Sequence, residues 1–144
     1  MEILSGNGGV STPPLRLLII GGVFPISRPK REIFVSEGLV VLCSCPDEPT
    51  GARIARELVA AGLAACVNRV PGCRSTYRWK GALQDEPEVL LVIKTVMSRY
   101  QALEMRLKAL HPYEVPEIIA LPIHAGSEAY LAWMAAETRP SKGE

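Results

Sequence analysis

Five consecutive apolar residues, Leu39-Val40-Val41-Leu42-Cys43, stand between Gly38 and Pro46. The run is short for a helix and lacks the polar alternation of a strand with one wet face. It predicts a central β-strand buried on both sides. That single requirement constrains the rest of the chain, because something must cover each face of the sheet to which this strand belongs.

The segments that follow supply candidates. Asp47 is placed to N-cap a helix whose apolar face is Ile54, Ala55, Leu58 and Val59, with Gly62 as the residue that closes it. Residues 63–70 read as a second strand, bent by Pro71-Gly72. Thr76-Tyr77-Arg78-Trp79-Lys80 alternates polar and aromatic side chains as a half-exposed strand does. Gly81 turns the chain, and residues 88–96, apolar in their middle, return as another central strand. The two strands form a hairpin longer than the rest of the sheet requires.

Ser98-x-x-Gln101 has the spacing of a capping box. It opens a second helix with Tyr100, Leu103, Leu107 and Leu110 on one face, stopped by Pro112. Residues 117–123 give a fourth strand, and Ser127 caps a last short helix carrying Tyr130, Trp133 and Met134. The order β-α-β-β-α-β is an α+β, ferredoxin-like sandwich with an extra C-terminal helix and a long hairpin between the second and third strands. Right-handed crossovers put both main helices on one sheet face. The hairpin, the last helix or a partner subunit must cover the other, since an uncovered Val and Leu surface is an exposed apolar patch.

At 144 residues the chain is one domain with a substantial core, and 48% apolar content fits it. Aromatic residues make up only 6%, so Val, Ile, Leu and Ala fill that core. A net charge of +1, with no basic run longer than Lys30-Arg31, argues against nucleic acid as a partner. No apolar stretch approaches the roughly 20 residues of a membrane-spanning helix. Residues 1–37 differ from the remainder. Gly6-Asn7-Gly8-Gly9 and Ser11-Thr12-Pro13-Pro14 are loop material, and the apolar stretch after them lacks the charge order of an export signal. The expected division is a poorly ordered extension over 1–37, a folded domain over 38–139 and a tail over 140–144. A cytoplasmic location follows, with export through the extension as the alternative.

Leu110-His111-Pro112-Tyr113-Glu114-Val115, followed by Pro116-Glu117, holds one of the two histidines at a forced turn between helix and strand. Histidine is the commonest metal-ligating side chain, and the helix dipole also favours a cation there. The four cysteines, at 43, 45, 66 and 73, have no C-x-x-C or zinc-knuckle spacing. Cys66 reads as a small core residue and Cys73 as a turn thiol. Cys43 and His111 together suit copper or zinc, with Glu117 or Glu114 as candidate helpers. Lys94, inside an apolar strand, requires a partner, for which Glu88 and Glu117 are candidates. Lys94, Trp79 and Tyr77 are also candidates for lining an inter-subunit cleft, in which Lys94 could hold a small anion.

Several motifs in order resemble the CutA family of divalent-cation tolerance proteins. They are Val40-Val41-Leu42-Cys43 with Pro46-Asp47-Glu48, Leu63-Ala64-Ala65-Cys66-Val67-Asn68, and Tyr77-x-Trp79-x-Gly81. Residues 88–95, His111-Pro112-Tyr113-x-x-Pro116-Glu117 and Tyr130-Leu131-x-Trp133 continue the match, which runs from Gly38 to Arg139. The resemblance implies a ferredoxin-like homotrimer with the architecture of PII signalling proteins. It implies a role in copper and divalent-metal tolerance, no catalytic activity and no required cofactor. It further implies copper ligation by the cysteine ending the first strand and a histidine pair before Pro-Tyr. Cys43 and His111 hold two of those positions, and Leu110 stands at the first histidine of the pair. The competing reading is a PII-like regulatory module binding a small ligand or partner protein at inter-subunit clefts. A cysteine-nucleophile enzyme is disfavoured, because no nucleophile elbow and no group to orient the base are recognisable.

Overall fold

The computed structural model describes residues 37–140. The expectations for residues 1–36 and 141–144 lie outside the described residues. Seven elements follow one another: β1 (Gly38–Cys45), α1 (Glu48–Ala60), β2 (Cys66–Trp79), β3 (Ala82–Val96), α2 (Met97–Leu110), β4 (Ile119–Pro122) and α3 (Glu128–Glu137). The sheet order is β2-β3-β1-β4, antiparallel throughout. This is the ferredoxin-like α+β arrangement, with β1 and β3 in the centre as their apolar runs demand.

Strand alternation sorts the sheet into two faces. Leu39, Val41, Cys43 and Cys45 of β1 share one face with Val89, Leu91 and Ile93 of β3. That face packs against Ile54 and Leu58 of α1 and Leu103 and Leu107 of α2. The opposite face carries Val40 and Leu42, Leu90 and Val92, and Ile119 and Leu121 of β4. α3 covers one end of it, where Met134 and Leu131 meet Val96 and Ala65. Ile119 and Leu121 remain 49% and 47% exposed.

Each main helix ends on an arginine of the other. The carbonyls at an α-helix C-terminus have no intrahelical partner. Arg53 of α1 donates to the Leu110 carbonyl at 2.9 Å, and Arg99 of α2 donates to the Gly62 and Ala61 carbonyls at 3.3 and 3.4 Å. At the start of α1, Asp47 Oδ1 accepts the Thr50 N–H at 2.8 Å, as the sequence predicts. Gly62, at φ +64°, takes the left-handed conformation expected of a residue closing this helix.

Several expectations require correction, among them the cap of α3, where Ser127 precedes the helix but its side chain makes no capping bond. Val59 is 45% exposed and not part of the buried helix face. The Ser98 capping box does not form: α2 begins at Met97, whose N–H is satisfied by the Glu37 carbonyl at 2.7 Å. A backbone acceptor supplied by the chain replaces the side-chain cap. Residues 63–65 precede β2 instead of belonging to it, although the Ala65 N–H bonds the Lys94 carbonyl at 2.9 Å. β4 is shorter than residues 117–123.

Pro71-Gly72 does not divide β2. Val70 pairs with Leu90 and Cys73 with Glu88, so β2 carries one extra residue and continues through a β-bulge. The bulge reverses the side-chain parity of the strand. Cys66, Asn68 and Val70 before it, and Cys73, Ser75, Tyr77 and Trp79 after it, therefore share the open sheet face. β1 pairs β3 only as far as Val89, which leaves the rest of the hairpin to project as a two-stranded ribbon. Lys80 and Gly81 close it with φ of +47° and +83°, the signs a type I′ turn requires.

Candidate functional site

β1 runs from Gly38 to Cys45, so Cys43 and Cys45 point to the same, helix-covered face two residues apart. His111 follows the last residue of α2 and precedes Pro112, which holds it extended at φ −78° and ψ 136°. The Arg53 bond to the Leu110 carbonyl fixes the helix end immediately before it. These elements bring Cys43, Cys45 and His111 together, all three buried, with their ligand atoms within 4.8 Å of one another. Two of the three are residues expected from the sequence. Cys45 is not among those expected, although a Cys-x-Cys spacing on a strand is enough to place both thiols on one face.

Both imidazole nitrogens of His111 are engaged. Nδ1 accepts the Tyr113 N–H at 3.1 Å, which leaves Nε2 to carry the proton and donate it to the Ser44 carbonyl at 2.7 Å. A backbone carbonyl holding one ring nitrogen is the usual support for a histidine whose other nitrogen ligates a metal. The two thiols act as a pair. The hydrogen bond to Cys45, then burial, raises the Cys43 pKa. The same bond, assisted by His111, lowers that of Cys45 despite its burial. Burial alone would depress the His111 pKa, but Cys45 and the Ser44 carbonyl outweigh it and the net direction is upward. The resulting donor set is two sulfurs and one imidazole, which suits soft, thiophilic ions and is ill-matched to magnesium or calcium. The donors present therefore fit a copper-like or zinc ion, which the Cys43 and Cys45 sulfurs would hold together with an imidazole nitrogen of His111, once that nitrogen's bond to Tyr113 or Ser44 is given up.

Between the hairpin residues 75–79 and the segment 112–117 that follows α2 lies a cavity of about 640 Å³. Tyr77, Trp79 and Tyr113 provide its aromatic surfaces, and Glu88, Glu114 and Glu117 its carboxylates. Glu88 is 6% exposed, and its Oε2 accepts the Tyr113 hydroxyl at 3.0 Å. Burial, then the Glu88 carboxylate, raises the Tyr113 pKa. Glu117 thus lies in the cavity lining and outside the Cys43–Cys45–His111 group. Its charge nevertheless adds to the upward shift of Cys43. Tyr77 and Trp79 line this cavity and Lys94 lies outside it; the inter-subunit cleft expected of the three involves a second chain. Lys94 bonds the Asn68 side-chain carbonyl and the Val92 carbonyl instead of either glutamate proposed for it. Cys66 is half-buried and Cys73 lies just after the bulge; both are free thiols.

The comparisons with known proteins agree with this architecture. The family model described as CutA1 divalent ion tolerance protein matches residues 39–137. A divalent-cation tolerance protein CutA from Citrobacter koseri is 43% identical over 109 residues, covering 76% of this chain and 95% of that protein. Among solved structures, the divalent cation tolerance protein Cut A1 from Thermus thermophilus is 48% identical with a TM-score of 0.69, covering 71% of this chain and 99% of its own. CutA1 from Oryza sativa is 46% identical with a TM-score of 0.70, covering 72% and 95% respectively. With its fold, its strand-end cysteine and its His-Pro-Tyr turn all within the matched region, the chain belongs to the CutA1 family of divalent ion tolerance proteins.

Proposed function

We propose that this protein serves divalent-metal tolerance by binding a copper-like ion directly, without catalysis, as a cytoplasmic homotrimer. One observation carries the reading: two buried thiols and a buried imidazole converge within 4.8 Å. Sulfur-rich sites select copper(I) and zinc over harder ions. Leu110 removes the first histidine of the pair that the family resemblance implies, and Cys45 offers a replacement donor from β1, the strand that also carries Cys43. A thiolate for an imidazole makes the set softer and shifts preference toward copper(I).

The test is titration of copper(I), and separately zinc, into the reduced full chain under anaerobic conditions. Cys43→Ala, Cys45→Ala and His111→Ala are measured alongside. The expected result is saturation at one ion per chain, weakened at least tenfold in each variant. Absence of saturable binding would make the metal link indirect. The burial of all three side chains also supports a non-enzymatic reading, since a nucleophile must be reached by its substrate.

A second reading, a PII-like module that binds a small ligand, draws its support from the cavity between the hairpin and the segment after α2. Its volume of about 640 Å³ falls in the range of small-molecule sites.

A further inference from the structure

A buried charge is normally paired, because removing an ion from water without compensation is costly. Glu88 is 6% exposed, and its one hydrogen-bond donor among the described residues is the neutral Tyr113 hydroxyl. None of the ion pairs among those residues includes it. Glu88 also lines the cavity, together with Glu114 and Glu117, and among the described residues the lining includes no lysine, arginine or histidine. A lining of this kind repels anions. Glu88 interacts electrostatically with His111, which stands outside this lining.

The walls narrow the kind of cation that such an acidic lining would take. Tyr77, Trp79 and Tyr113 present aromatic surface, and aromatic faces attract ammonium and guanidinium groups through the ring quadrupole. A strongly hydrated metal ion makes poor use of such walls, and about 640 Å³ is far more space than one ion needs. Two lining residues, Trp79 and Glu114, already engage a cation. Lys80 Nζ lies 5.6 Å from the Trp79 ring centroid and 3.7 Å from a Glu114 carboxylate oxygen. The lysine is 72% exposed, so it marks the edge of the site without filling its interior.

We propose that this cavity binds a small organic cation, with an ammonium or guanidinium group on Glu88 and its carbon skeleton against Trp79 and Tyr77. The proposal rests on the reading of the cavity as a small-ligand site and fixes the ligand's charge.

The experiment is calorimetric titration of the full chain with spermidine, agmatine and choline, with magnesium chloride and malate as comparisons. Saturable binding of at least one of the three organic cations is expected. Glu88→Gln, which keeps the shape and removes the charge, should weaken that binding at least tenfold. Trp79→Leu, at an exposed hairpin position, should weaken it severalfold and serves as an independent readout if Glu88→Gln folds poorly. Binding that is unchanged in Glu88→Gln, or matched by magnesium at equal concentration, would overturn the proposal. So would failure of all three cations, and in that case malate separates two outcomes. Saturable malate binding would leave a ligand cavity of the opposite sign, and no binding at all would remove the small-ligand reading as well. Cys43→Ala, outside the cavity lining, should retain cation binding, which separates this site from the metal centre.

Discussion

Tyr113 touches both candidate sites through different atoms. Its backbone N–H reaches His111 Nδ1, its ring lies 4.8 Å from the imidazole, and its hydroxyl donates to Glu88. Tyr113→Phe removes only the last of these. It strands a carboxylate that is already nearly buried, and an unsatisfied buried acceptor costs about 1–3 kcal/mol. Urea unfolding should show a loss of that size in Tyr113→Phe, and Glu88→Gln/Tyr113→Phe should lose less than the two single changes combined. Full additivity would mean that the hydroxyl and the carboxylate do not interact. At this scale the sequence discloses part of the site. His111 and Cys43 are legible from a forced turn and a strand end. Cys45 is legible only when a two-residue spacing is read as one strand face. Glu88 continues the open-face alternation of Leu90 and Val92, but its burial comes from the segment around Tyr113, some 25 positions away. No local pattern encodes that contact.

Elements whose ends are fixed by local chemistry match expectation, and those fixed by distant backbone do not. α1 starts where Asp47 says it should, because cap and capped N–H lie three residues apart. α2 starts before its apparent capping box, because β3 runs straight into it and Glu37 satisfies the first N–H. The bulge in β2 was legible as a bend. Its effect on parity becomes visible only once the pairing with β3 is known. The Asp47 cap yields a pH-dependent prediction. The Thr50 side chain, then its backbone N–H, holds the Asp47 carboxyl below its ordinary value of 3.8. A depressed carboxyl stabilises the fold above its unfolded-state pKa and loses that contribution as pH falls through the folded-state value. Asp47→Ala should therefore lower the melting temperature at pH 7, and the gap to the parent should narrow as pH falls below about 4. A gap constant from pH 7 to pH 2 would show that the capping bond does not depend on the carboxylate charge.

The chain as a whole presents two sheet faces in different conditions. Two helices bury the β1 and inner β3 side chains of the first, while α3 covers only one end of the second. Val70, Ile119 and Leu121 are 43%, 49% and 47% exposed on that second face, beside the half-buried Val40, Leu42, Leu90 and Val92. A contiguous apolar patch of this kind marks an interaction surface. The projecting ribbon adds to the same need, since a two-stranded hairpin is marginally stable alone. Assembly of identical chains through this face meets both needs, and the proposed homotrimer provides it. β4 is an edge strand, so a lysine at position 121 can reach water in a lone chain, as edge lysines do in natural sheets. In an assembled one the same lysine would be buried against a neighbour without a partner. Leu121→Lys should therefore leave the fold of the single chain intact and break the assembly. Sedimentation should give three times the chain mass for the parent and smaller species for the variant. The variant's melting temperature should also be lower, because subunit association adds to stability by mass action. A parent that sediments as single chains at micromolar concentration would remove the trimer, and a trimeric Leu121→Lys would move the interface away from β4.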